Sequence, residues 1–492
     1  MAARAGAGPG GSDLNAAAGE RLTPDICVIG AGSAGLTIAA AAAAFGVSVV
    51  LIEKNRMGGE CLNTGCVPSK ALIAAASRAE AVRQAGRFGI VVDEPQTDFA
   101  AVMAHVNDVI AAIAPNDSED RFTGLGVTVI RGHARFKDRQ TVSVADVEIR
   151  ARRFVVATGS RPAVPPIPNI ETVPHLTNET IFGLQRRPNH LIVIGGGPVG
   201  LELAQAFRRL GSEVTVLEAA RPLARDDPEL SALLVESLRR EGIDIREGAN
   251  VVRVARRGRS GVRLTLEHGG EETHVDGTHL LVAAGRRADL DELGLEQAGI
   301  EFDPDGIKVN DRLRTRNRRV YAIGDAAGGP RLTHWASYQA GLVVRSILFR
   351  FGGRLRPEIL PWATFTDPEL AHVGLSEEEA RRRHGAITIL RWPFSENDRA
   401  QTERSTRGFV KVIATRRGRI VGADILGRDA GELIAPYVLA VSGGMSVKRF
   451  VDGVFPYPTR SEAARRAAIG FYTPKLGSPW VNRLIRLMRK LG

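Results

Sequence analysis

Cys61 and Cys66 stand five positions apart in the run Gly58-Gly59-Glu60-Cys61-Leu62-Asn63-Thr64-Gly65-Cys66-Val67-Pro68-Ser69-Lys70, between two glycine-rich segments. Two thiols beside a nucleotide site can carry two electrons by alternating between dithiol and disulfide. Zinc is the rival use of such a pair. It takes four ligands grouped as two close pairs, and no second Cys or His pair lies nearby, so no metal site is expected. The third cysteine, Cys27, sits in an apolar stretch and reads as packing. Cysteine usage of this kind belongs to an intracellular, cytoplasmic redox enzyme rather than a disulfide-stapled secreted domain.

The spacing constrains the local backbone. A regular helix would rise about 7.5 Å between these cysteines, beyond the ~7 Å Cα separation a disulfide tolerates. The first cysteine is therefore expected in a turn, with Gly65 helping the bend, and the second near the start of the next helix. A helix N-terminus favours negative charge, which places Cys66 for a lowered thiol pKa. Lys70 follows four residues later on the same helical face. A solvated surface lysine is the plain alternative, but its company of Val67, Ala71, Leu72 and Ile73 is apolar.

The elements that must position this chemistry come next. From Ile26 to Ile52 there is no charged residue, enough on counting alone for a membrane span. The internal pattern argues otherwise. A buried strand, Asp25 to Ile29, leads into Gly30-Ala31-Gly32-Ser33-Ala34-Gly35, then an alanine-rich helix to Phe45, and a strand from Val47 to Ile52 that ends at Glu53. In this dinucleotide fingerprint Gly30 makes the turn, Gly32 admits a pyrophosphate, and Gly35 lets helix and strand pack closely. The helix N-terminus holds the phosphates and Glu53 can accept ribose hydroxyls. The unit recurs: His190 to Ile194 leads into Gly195-Gly196-Gly197-Pro198-Val199-Gly200, a helix to Leu210, and a strand from Glu213 ending at Glu218. First glycine to terminal acid spans 23 positions in both copies. A lone fingerprint is weak evidence; two in register indicate two dinucleotides, a soluble nicotinamide and a bound flavin.

Phe154 to Ser160, with Thr158 and Gly159, and Leu280 to Arg286, with Gly285, are alike and each reads as a strand closing its nucleotide domain. Pro162 to Pro168 suits a linker. Val320 to Asp325 is another buried strand, ending in Gly324 and an acid that serves either a ribityl chain or a helix cap. After Pro357 the pattern changes to alternating strands near Gly408 to Ile413 and Ile420 to Leu426, then helices at Glu432 to Ser442 and Ser461 to Phe471, a separate α+β domain. The formal charge of +11 comes mostly from arginine spread along the 492 residues. Without zinc-finger spacing or an aromatic-studded RNA motif, it gives no reason to expect nucleic acid as a partner.

These residues resemble the class I pyridine nucleotide–disulfide oxidoreductases, the flavoprotein family of glutathione reductase, dihydrolipoamide dehydrogenase and mercuric reductase. The resemblance covers roughly residues 24 to 472, and the GGECLNTGCVPSK run is its most specific part. It implies an α/β protein with two Rossmann-like domains and a C-terminal α+β dimerisation domain. The implied layout is an FAD domain at 24–165 with a return segment at 290–355, a nicotinamide domain at 166–289 and a dimerisation domain at 356–472; outside it, the Ala/Gly-rich lead at 1–23 reads as disordered from its composition, and 473–492 is a tail. The resemblance implies FAD on the first fingerprint and on Asp325, and NAD(P)H on the second. Cys61 would be the interchange thiol facing substrate, Cys66 the charge-transfer thiol under the flavin, and Lys70, paired with Glu202, would lie near flavin N5. A homodimer is implied, because the C-terminal segment completes the partner's site. NADH is favoured, since Glu218 would accept ribose hydroxyls and repel a 2′-phosphate, with Arg225 and Arg221 near enough to soften that choice.

Substrate choice turns on a departure. Thiol-using members carry a His–Pro–Thr segment with a glutamate five positions after the histidine. Here the segment runs Phe455-Pro456-Tyr457-Pro458-Thr459-Arg460-Ser461-Glu462, with Glu462 kept and Tyr457 in place of the histidine. A phenol with reference pKa of about 10 is a poor base at neutral pH. Tyrosine here resembles mercuric reductase, whose metal substrate needs no proton shuttle, although the cysteine pair that enzyme carries at its C-terminus is missing. The first expectation is reduction of a metal ion or other small acceptor. The second is a dihydrolipoamide dehydrogenase or disulfide reductase, and a third is a slow-turnover redox-sensing or membrane-associated flavoprotein. In the tail, Arg483, Arg486 and Arg489 oppose Leu484, Leu487, Met488 and Leu491 beside Trp480. Such a basic amphipathic helix can lie on an anionic membrane surface; packing on its own domain is the favoured expectation.

Overall fold

Residues 21–258, 261–268, 271–476 and 478–490 are described by the computed structural model, so most of the lead read as disordered, residues 1–20, lies outside the described residues. The chain divides into two units. One comprises the described residues up to Cys61 with Ile113–Arg161 and Arg287–Leu355; the other comprises Leu62–Ala112, Pro162–Arg286 and Arg356 onward.

A strand covered on both faces needs apolar side chains at every position rather than at alternate ones. Ile26–Ile29 and Val49–Glu53 are buried throughout, which accounts for much of the charge-free stretch at 26–52. They lie within a parallel sheet of order Val320–Ala322, Arg153–Val156, Ile26–Ile29, Val49–Glu53, Thr128–Arg131. The fingerprint strand is central, so chain connections leave it in opposite directions and open a crevice at the carboxyl ends of the strands. The helix Ser33–Ala44 covers one face and packs on Thr333–Phe349 through Leu36, Ile38, Ala39 and Ala42.

The second unit repeats this plan with a parallel sheet of order Asp244–Glu247, Glu213–Glu218, His190–Ile194, His279–Val282. An antiparallel sheet, Asn250–Arg257, Gly261–His268 and Glu271–Gly277, was not anticipated from sequence. Val254, Val262, Leu264, Leu266 and Val275 cover the parallel sheet from it, and the intervening charges obscured that one-sided pattern. Helices Cys66–Arg83 and Phe99–Ile113 pack here too, bringing Leu72, Ala76 and Met103 into one core with Phe207. The α+β region has a five-stranded antiparallel sheet of order Pro361–Thr364, Glu369–Gly374, Ile420–Gly427, Phe409–Thr415, Ile387–Pro393.

Three local expectations change. The helix expected from Glu432 to Ser442 is two, Ala430–Leu433 and Ala435–Ser442, because Pro436 suits the first turn of a helix and not an interior. Cys61 lies in a short helix, Gly59–Asn63, rather than an open turn; the break falls at Thr64 and Gly65, ahead of the helix that Cys66 begins. The tail helix Pro479–Met488 does not pack on its own domain: none of its residues is buried. Glu462–Ile469 already closes that core with Ala463, Ala464, Ala467 and Ala468. Among the described residues, one helical run, Phe99–Gly124, is long and apolar enough to cross a membrane. A 3-10 turn containing Pro115 interrupts it, and Phe99, Met103, Val106 and Phe122 are buried in protein cores.

Candidate active site

The first fingerprint builds a cradle whose walls are backbone. A Cβ on Gly30, where φ is +105°, would stand 2.4 Å from the Ala157 carbonyl oxygen, and one on Gly35 would stand 1.8 Å from that of Gly30. Gly32 differs: an added Cβ would meet only the Gly59 Cα, at 3.9 Å. Its missing side chain leaves space over the start of Ser33–Ala44, where no side chain caps the helix and no acid stands in the first turn. That is an anion site by construction. Glu53 closes the far side, accepting the Ala31 N–H on Oε2 and the Asn55 N–H on Oε1, both at 2.7 Å. A recess beside it is lined by Gly30, Glu53, Lys54, His133 and Thr158. The Thr158 hydroxyl is buried there with no hydrogen-bond partner among the described residues. Gly159 follows with φ of +76°. Asp325 accepts the Ser160 hydroxyl at 2.5 Å, and Gly324 donates its N–H to Gln339 Oε1 at 2.7 Å. Asp325 sits inside the turn Gly324–Ala327 and does not cap it. Open glycine space, an uncapped helix start and an orphaned hydroxyl fit an adenine dinucleotide such as FAD.

The second fingerprint reproduces that cradle bond for bond. A Cβ on Gly195 would stand 2.4 Å from the Ala283 oxygen and one on Gly200 2.0 Å from the Gly195 oxygen, while Gly197 has nothing within 4 Å. Glu218 accepts the Gly196 N–H on Oε2 at 2.7 Å and the Ala220 N–H on Oε1 at 2.9 Å. Gly285, at φ +133°, follows the closing strand. Arg221 is turned inward, donating to Ser231 Oγ at 2.7 Å and to the Ala224 carbonyl at 3.1 Å, whereas Arg225 is exposed. The residues fit a nicotinamide dinucleotide.

Cys61 is half-buried and Cys66 exposed, whereas Cys27 is fully buried in the strand Ile26–Ile29, where burial pushes its thiol up and out of reactive range. One helical turn past Cys66, the Lys70 ammonium lies 2.7 Å from Glu202 Oε2. Glu202 is 4% exposed. Its other oxygen accepts the Phe365 N–H at 2.9 Å, and the Phe365 ring lies 4.5 Å from the Lys70 nitrogen. Sequence reasoning missed Phe365 and the polar ladder beneath it. Gln205 exchanges two 2.8 Å bonds with the Asp367 backbone, and Arg209 reaches Asp367 Oδ2 at 2.9 Å. Glu202, Gln205 and Arg209 fall at i, i+3 and i+7 of a helix otherwise buried among Leu201, Leu203, Ala204, Ala206 and Phe207. A polar stripe on a buried face was the available signal.

Tyr457 is 69% exposed. Its hydroxyl donates to Asp398 Oδ2 at 2.9 Å, and that bond, with the carboxylate's charge, pushes the phenol above its ordinary pKa. Asp398 was not foreseen; it lies 59 positions upstream. Glu462 opens the helix Glu462–Ile469 and pairs with Arg466 at 2.9 Å. Among the described residues, no group of three or more His, Cys, Asp or Glu is placed to hold a metal ion.

Residues 24–340 match the family described as pyridine nucleotide-disulphide oxidoreductase, and residues 360–468 match its dimerisation domain. The chain is 36% identical over 455 residues to the mercuric reductase of Streptomyces lividans, covering 91% of this chain and 96% of that protein. It is 36% identical over 459 residues to the dihydrolipoyl dehydrogenase of Bacillus subtilis, with the same coverage. Among solved structures it is similar to the HOCl-induced flavoprotein disulfide reductase RclA from Escherichia coli, at a TM-score of 0.81 and 30% identity over 90% of this chain and 99% of that one. A Cu(II) complex of RclA aligns at a TM-score of 0.80.

Proposed function

Because the chain belongs to the pyridine nucleotide-disulphide oxidoreductase family, whose members use FAD and NAD(P)H, we propose that it reduces a metal ion through Cys61 and Cys66. In this reading FAD occupies the first cradle, in a domain of residues 24–165 and 290–355, and NADH occupies the second, in residues 166–289. Bound flavin supplies the two-electron relay from nicotinamide to disulfide. The disulfide gains two electrons and two protons to become a dithiol. Hg(II) held by both thiolates then takes the two electrons, or two Cu(II) ions take one each, the S–S bond re-forms, and the two protons pass to solvent.

The chain's own groups favour each part of this. A helix start favours a Cys66 thiolate, and Lys70 stands one turn further along the same helix. Glu202 keeps the Lys70 ammonium in place, and Phe365 holds Glu202. The observation that carries the choice of acceptor is Tyr457, which keeps its proton against Asp398 and so does not serve as a base for a thiol substrate. A metal–dithiolate needs none. The matched dimerisation domain supports a homodimer, in which residues 356–472 would present Tyr457 and Glu462 to the partner's cysteines. A cytoplasmic setting suits the reduced thiols.

Comparison of kcat/KM for Hg(II), Cu(II), lipoamide and glutathione disulfide tests the proposal. Metal reduction is expected to lead, with Tyr457→His raising thiol–disulfide turnover by about 10²-fold or more. Lipoamide turnover as fast as the best metal would return the dihydrolipoamide dehydrogenase reading to first place. NADH-reduced enzyme is also expected to show a long-wavelength thiolate-to-flavin band, lost in Cys66→Ser and kept in Cys61→Ser.

A further inference from the structure

Beyond residue 468, where the match to the dimerisation domain ends, the chain continues into the helix Pro479–Met488. At about 100° per residue, Trp480, Val481, Leu484, Ile485, Leu487 and Met488 fall on one side. Asn482, Arg483, Arg486, Arg489 and Lys490 fall on the other. The apolar side is open to water: Trp480 is 74% exposed, Leu487 58% and Met488 57%. Such a side is unfavourable in water and calls for an occupant.

Charge identifies the occupant. After Glu462 the sequence carries seven Lys and Arg residues and no acid. The same helix of a second copy would bring like charge alongside and offer no counter-charge of its own. Phosphate headgroups supply the anions that these arginines lack, and acyl chains supply the apolar medium. The helix is also short. Ten residues reach about 15 Å, half of the ~30 Å a span requires. Trp480 at its N-terminal end suits the headgroup boundary.

We propose that Pro479–Lys490 lies in the plane of an anionic lipid surface, with Trp480, Leu484 and Leu487 in the acyl boundary and Arg483, Arg486 and Arg489 among the headgroups. The redox machinery is then held at a membrane surface while drawing on soluble nicotinamide. This stands independently of which acceptor the enzyme reduces.

The test is sedimentation of the FAD-loaded full chain with vesicles of phosphatidylglycerol and phosphatidylcholine, or of phosphatidylcholine alone, at low and high salt. Binding to the anionic vesicles only, reversed by salt, is expected. Arg483→Glu combined with Arg486→Glu should weaken it by about tenfold or more, with NADH-dependent flavin reduction unchanged. Lipids brominated on their acyl chains should quench tryptophan emission in the unmodified protein and not in Trp480→Phe, a readout that does not depend on the charge variant. No vesicle binding, equal binding to neutral vesicles, or binding indifferent to the arginine changes would overturn the proposal. So would a full chain that ignores vesicles yet loses a higher oligomer when the chain stops after Leu476, the result a second-copy contact would give.

Discussion

At the scale of single residues, the Lys70–Glu202 pair has one buried member, and burial decides which loss costs more. Lys70 is partly exposed and reaches solvent if its partner goes; Glu202 does not. Lys70→Met should therefore destabilise the protein by about 2 kcal/mol, because it leaves a buried carboxylate with one backbone N–H. Glu202→Gln should cost less, since the amide oxygen still accepts the Phe365 N–H. Urea unfolding of both variants checks the order, and a larger loss for Glu202→Gln would contradict it. The proposed preference between nicotinamides also rests on one residue. Glu218 is expected to give NADH the higher kcat/KM, with residual NADPH use through Arg225. Steady-state comparison of the two nucleotides tests this, and a tenfold advantage for NADPH would exclude it. The cysteine run and both fingerprint acids were legible in sequence because spacing along one chain segment is what defines them. Asp398 and Phe365 were not. Their partners lie 59 and 163 positions away, and only the folded register brings each pair together.

At the scale of elements, each fingerprint helix meets its strand through a glycine with no room for a methyl group. Gly35→Ala should yield colourless protein that lacks FAD. Gly200→Ala should stay yellow, accept electrons from dithionite and fail to be reduced by NADH. Absorbance of the purified variants, before and after each reductant, reads both outcomes. The strand Glu369–Gly374 carries a different consequence. Burial pushes Glu369 up to about 7, and Asp429, Asp367 and Glu432 add to that. The native state then keeps a proton that the unfolded chain releases near its ordinary value of 4.5, so stability falls as pH rises from there to about 7. The loss is on the order of 3 kcal/mol, and Glu369→Gln should flatten it in unfolding midpoints measured across that window. His372, on the same strand, is opposed by burial, but its bonds to Asp424 and the Gly374 carbonyl hold its proton above the ordinary value. That contribution is complete at acid pH and fades as pH rises through the raised value, the same direction as Glu369. Strands buried on both faces were easy to read from unbroken apolar runs. The three strands between Asn250 and Gly277 were not, because each is half solvent-facing and dense in arginine and glutamate.

At the scale of the whole molecule, the matched dimerisation domain supports a homodimer, and the proposed function sets Tyr457 of one chain beside the cysteines of the other. Tyr457→Phe should impair metal-ion reduction where the hydroxyl contacts the bound ion or the thiolates, and dimers mixed from Cys61→Ser and Tyr457→Phe subunits should then regain about half the unmodified activity per dimer, because one site holds both native residues. Activity no higher than half that of the Tyr457→Phe homodimer would place Tyr457 and the cysteines in the same subunit. The doubled cradle has a consequence for how such an enzyme can change. Glu53 and Glu218 each clamp two backbone N–H groups, one 22 positions before and one two positions after. The carboxylate that would discriminate between nicotinamides is thus also a splint for the loop it reads from. Evolution, or an engineer seeking NADPH use, is barred from simply deleting Glu218, since that frees two N–H groups and slackens the turn. The accessible route leaves the splint in place and recruits cation from its neighbours, beginning with the outward-facing Arg225, so that cofactor preference drifts by addition around a fixed acid rather than by its replacement.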